Sequence, residues 1–97
     1  MKREDYVFAI GFDGSNAVVD KRNRSRYKKL DTRALADAGL FRAAYRSAVF
    51  ADDAAGADYV LEKYNAVSPI PYEKSADLDK VFGVQPPSED ITGVRAV

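Results

Sequence analysis

Six of the nine residues from Lys21 to Lys29 are cations: Lys21, Arg22, Arg24, Arg26, Lys28 and Lys29. Guanidinium and ammonium groups at this density suit phosphates, which a nucleic-acid strand presents in a row. Tyr27, inside the same run, offers a ring on which a base can stack. Lys21, Arg22, Arg24, Arg26, Tyr27, Lys28 and Lys29 together therefore point to polyanion recognition, with nucleic acid as the first partner and an acidic protein as the second. If residues 22–28 are extended, Arg22, Arg24, Arg26 and Lys28 project from one face, because side chains alternate along a strand. At about 3.3 Å per residue the charges stand about 6.6 Å apart, in a row about 20 Å long. The competing reading is a solvated edge strand, where Lys and Arg block edge-to-edge pairing.

No other residue set matches a catalytic or metal-binding pattern. The chain has neither His nor Cys, which excludes imidazole bases, thiolate nucleophiles, thiolate zinc sites and disulfides. Four acidic pairs remain: Glu4-Asp5, Asp52-Asp53, Asp77/Asp79 and Glu89-Asp90. Asp52, Asp53 and Asp77 precede or open helices, where caps and the helix dipole favour negative charge. Asp13-Gly14-Ser15-Asn16 begins like a calcium loop, but Val18 stands where that loop needs Gly and Arg24 where it needs Glu. Gly11-Phe12-Asp13-Gly14 has the letters of a GxxG nucleic-acid loop but joins two expected strands instead of two helices. The expectation is a non-enzymatic chain without metal or cofactor.

The elements that must position the basic run are legible in part. Tyr6, Phe8, Ile10 and Phe12 alternate with Val7, Ala9 and Gly11, which predicts a strand apolar on both faces and central in its sheet. Asp13-Gly14-Ser15-Asn16 is a turn, and Ala17-Val18-Val19 resumes the extended pattern, so residues 6–20 read as a β-hairpin. The run 21–29 follows as a flexible arm or a third, exposed strand. Asp31 or Thr32 can cap a helix towards residue 50, with Ala34, Ala38, Phe41, Tyr45 and Ala48 on one face and Gly39 as a break point. Asp52 or Asp53 can cap a second helix near 54–66, striped by Ala57, Val60, Leu61 and Tyr64. Ser68 to Tyr72 is extended by its prolines. Ser75 caps a short helix that ends at Phe82, with Gly83 beyond it.

The expected fold is a small α+β domain over residues 1–83: an antiparallel sheet started by the N-terminal hairpin, two main helices on one face, and a short C-terminal helix. Residues 84–97, rich in Pro and polar side chains, read as a flexible tail whose Ile91, Val94 and Val97 can alternatively dock as an added strand on a partner or on the sheet edge. Net charge is zero, yet residues 1–48 hold 11 Lys/Arg against 6 Asp/Glu and residues 49–97 hold 4 against 9. A basic side facing an acidic side is one outcome of that split. No run approaches the ~20 apolar residues of a membrane span and no leader pattern stands out, so a cytoplasmic protein is expected. If the first helix is continuous, Leu40 and Phe50 leave its stripe, as Tyr59 leaves that of the second. Together they would form a patch for a homodimer.

Overall fold

The computed structural model describes residues 1–97, and the protein is an α+β fold built on a three-stranded mixed sheet. Strand β1 (Ala9–Asp13) turns through Gly14, whose φ of +60° suits a residue without Cβ, into β2 (Asn16–Val19). The two pair antiparallel, Phe12 opposite Ala17 and Asp13 opposite Asn16. Strand β3 (Gly93–Ala96) adds in parallel to the other side of β2, Asn16 opposite Gly93 and Val19 opposite Ala96. Parallel pairing needs a long crossover, and nearly all the helices lie within this one.

The hairpin and its turn stand where the sequence places them, but the first strand starts later. Residues Arg3–Val7 form a helix, α1, and the chain turns at Phe8 before β1 begins. The large–small alternation from Tyr6 imitates a strand, yet Tyr6 is wanted elsewhere. Its ring is buried, 5.7 Å from that of Phe50, with the Arg46 guanidinium 4.6 Å from its centroid. Arg46, only 3% exposed, donates its Nε to the Tyr6 carbonyl at 2.7 Å. Nor is β1 central: β2 is. As an edge strand, β1 leaves Ile10 52% and Phe12 49% exposed, although both were expected on a buried face.

The basic run also departs from expectation. It forms a helix, α2 (Lys21–Tyr27), and not an extended strand or arm. Helix α3 (Thr32–Asp37) ends at Gly39, whose φ is +79°, and α4 (Phe41–Phe50) sets off in a new direction. The bend turns Leu40 towards the core and bonds its N–H to the Leu35 carbonyl at 2.9 Å. Helix α5 (Ala54–Asn65) follows, then a 3-10 turn at Ser75–Asp77 and α6 (Leu78–Phe82), closed by left-handed Gly83. With Leu40 and Tyr59 packed on the core and Phe50 against Tyr6, the expected dimer patch is not formed.

The core joins Val19 of the sheet, Val7 and Phe8, Leu35 of α3, Tyr45 of α4, Val60 of α5 and Leu78 of α6. Helix α1 supplies the contact between β2 and α4, so it lies between the sheet and the α3–α5 layer. Of the residues expected in the tail, Val84 is buried in this core, the Gln85 carbonyl accepts the Tyr6 hydroxyl, and Gly93–Ala96 form β3. No helix is long and apolar enough to cross a membrane.

Candidate nucleic-acid interface

Helix α2 forms in a cation-rich segment because its ends are provided for. Asp20 is the N-cap, accepting the Asn23 N–H at 3.1 Å and the Asn23 side-chain amide at 3.0 Å. Lys and Arg are good helix formers, and Arg24 and Arg26 fall in the last turn, where the dipole favours cations. Past the helix end, Arg3 donates to the Lys28 carbonyl at 3.3 Å and to the Leu30 carbonyl at 2.8 Å, holding the exit from α2 to the body of the protein.

Winding the run into a helix re-sorts its charges. Seven residues at 1.5 Å each span about 10 Å, half the extended row. Arg22 and Arg26 become neighbours one turn apart, and Lys28 and Lys29 follow in the turn past the helix end. Arg24 turns inward and pairs with Asp5 at 2.7 Å, its side chain 25% exposed against 9% for the carboxylate. Tyr27 also faces inward, half-buried against the core, with the Arg26 guanidinium 5.4 Å from its ring centroid. Lys21, Arg22, Arg26, Lys28 and Lys29 are exposed, and none has a carboxylate partner. The structure thus divides the seven candidates: five cations outward, and Arg24 and Tyr27 turned into the protein.

Two basic residues that the sequence reading passed over belong to this region. Arg3 sits at the C-terminal end of α2 through the bonds given above, and it also donates to Ser47 Oγ at 2.8 Å. Arg42 of α4 lines a cavity together with Asn23 and Tyr27. Neither had a local signal in the sequence, since each lies about twenty residues away and is brought in by the fold.

Asp5 of the first acidic pair holds Arg24 of α2, and several other acids have structural duties away from the helix. Asp53 caps α5 through the Gly56 N–H at 2.9 Å, Asp31 caps α3 through Ala34 at 2.8 Å, and Asp77 accepts the Lys74 N–H at 3.3 Å. Asp79 accepts the Tyr45 hydroxyl at 2.6 Å, and burial together with that bond pushes the Tyr45 phenol well above its ordinary range. Nowhere do three carboxylates converge as metal ligands. No family model, curated protein or solved structure matches the chain.

Proposed function

We propose that the protein is a non-enzymatic binding module that holds a polyanion, nucleic acid in the first place, on the outward face of α2, in a cytoplasmic setting. One observation carries the reading: Lys21, Arg22 and Arg26 on one short helix, with Lys28 and Lys29 in the turn that follows it, stand together with no carboxylate to neutralise them. Unpaired like charges destabilise the helix that bears them, so a segment kept in this state is suited to an external anion. The cluster is compact and the rest of the protein carries compensating acid. Affinity is therefore modest, micromolar or weaker at physiological salt, as for non-specific binding. Substituting Arg22, Arg26 and Lys29 with Ser tests the reading. The triple variant keeps its circular dichroism and loses retention on heparin and on nucleic acid. A variant retained as strongly as the wild type refutes it. Arg24 is left out because its loss would strand Asp5.

A second reading, a protein–protein adaptor or homo-oligomer, is favoured by a different observation. Strand β1 has a neighbour on one side only, carries no Lys or Pro, and exposes Ile10 and Phe12. Such an edge accepts an added strand from another chain. Light scattering over a concentration series separates this reading from a monomeric nucleic-acid binder.

A further inference from the structure

The inner flank of α2 borders a cavity of about 380 Å³, within the ~300–1,000 Å³ range of ligand clefts. Its walls are mostly apolar: Phe8 and Ile10 on the sheet side, Leu40 and Phe41 from the start of α4, and Phe82 from α6. Asn23, Tyr27 and Arg42 are, with Asp20, the residues of its lining that carry polar side-chain groups. The Asn23 amide donates to Asp20 but its Oδ1 accepts nothing, the Tyr27 hydroxyl is unbonded, and Arg42 has neither a hydrogen bond nor an ion pair. Asp20, the one acid in the wall, caps α2, and its charge is offset by the Asn23 donors and the positive helix start.

Apolar walls, aromatic rings and a few idle hydrogen-bonding groups suit a flat, heteroatom-bearing ring. The charge around the cavity selects what that ring is attached to. Arg22 immediately precedes Asn23 and Arg26 immediately precedes Tyr27, so each residue turned to the cavity has a cation beside it on the outer face. Arg26 is also coupled to the Tyr27 ring, at 5.4 Å. A neutral lipid or an apolar peptide would leave these cations and Arg42 idle.

Resting on the polyanion reading above, we infer that this cavity receives an unpaired base of a single-stranded nucleic acid whose phosphates lie on Arg22, Arg26 and Arg42. The protein then prefers single strands to duplex, because a paired base cannot leave its stack without cost. Stacking on an aromatic side chain is worth roughly 1–3 kcal/mol per base, which is about 5–150-fold in affinity.

The test compares three fluorescent probes at low salt by anisotropy: a short single-stranded oligoadenylate, an abasic strand of equal length and charge, and the matching duplex. The single strand should bind about 10-fold tighter than the abasic strand, with the duplex close to the abasic value. Ala43→Phe, which fills the cavity from α4, should bring the single strand down to the abasic level and leave abasic binding unchanged. Tyr27→Leu should do the same should Ala43→Phe fold poorly. Equal binding of single and abasic strands by the wild type overturns the inference and leaves the polyanion reading standing. Failure of all three probes to bind removes the polyanion reading itself. Adenosine monophosphate binding as tightly as the strand overturns the strand as occupant. So does an acidic peptide with apolar anchors that binds where oligonucleotides do not, which would give the cavity to a protein partner.

Discussion

Arg24 lies in the middle of the basic run, yet its removal should damage the fold more than the binding. Its guanidinium is the only hydrogen-bond partner of the Asp5 carboxylate, at 2.7 Å, and that carboxylate is 9% exposed. Breaking a fully buried pair from one side costs ~3–5 kcal/mol. An exposed pair contributes ~0–1 kcal/mol. Because Arg24 itself is 25% exposed, water can reach the site and the expected cost of Arg24→Gln lies between, at about 2 kcal/mol. For a domain of this size ~1 kcal/mol moves the melting temperature by ~4–8 °C, so the drop should be roughly 8–16 °C. Arg22→Ser and Arg26→Ser, on exposed sites, should each stay within ~0.5 kcal/mol of wild type. Adding Asp5→Asn to Arg24→Gln should recover part of the loss, since no charge is then stranded. Thermal and urea unfolding by circular dichroism reads all four variants. A loss for Arg24→Gln no larger than for Arg22→Ser would refute the division of the run into paired and free cations.

Three further outcomes follow from the same geometry. Asp20→Ala removes the cap of α2 and should cost about 1 kcal/mol with a loss of helicity by circular dichroism; unchanged stability and helicity would show that the cap does not hold the helix. Tyr45, raised by burial and by its bond to Asp79, contributes stability that is complete below its unfolded value of about pH 10 and lost as pH climbs past it, so Tyr45→Phe should flatten the alkaline decline seen by urea unfolding; parallel declines for variant and wild type would contradict this. Hydrogen exchange should be fast at Ser88–Asp90, whose backbone N–H groups lie outside any strand, and slower at Val97, which donates to the Val19 carbonyl at 2.9 Å; uniform exchange from 84 to 97 would mean that the tail moves as one flexible piece.

How far the sequence could be read follows from where its signals were local. The Asp13–Asn16 turn, the caps at Asp31 and Asp53, and the Gly39 break each rest on a few adjacent residues, and each stands in the structure. Residues 21–29 carry almost no apolar residues, so periodicity had nothing to choose between strand and helix. Asp20, Asn23 and the distant Asp5 settle the matter. The start of β1 is not legible in the pattern, because Tyr6, Val7 and Phe8 satisfy a two-residue period although they lie in or just after α1 and Tyr6 packs on α4. The parallel partner of β2 and the approach of Arg42 to α2 depend on residues far away in the chain, beyond the reach of any local pattern. For the candidate site, the cluster of cations was visible in the sequence but not how the fold divides it. Only the fold shows that Arg24 and Tyr27 point inward.

If the free cations of α2 and of the turn after it meet phosphates, the salt dependence of binding shows it most directly. The affinity of the wild type for a DNA duplex, measured by anisotropy across a range of salt from low to physiological, gives the number of counterions released. Three to five contacts from Lys21, Arg22, Arg26, Lys28 and Lys29 predict a log–log slope of roughly −3 to −4.5, and about one unit less steep for each Arg replaced by Ser. No binding at low salt, or a slope near zero that Arg22→Ser leaves unmoved, would contradict the account.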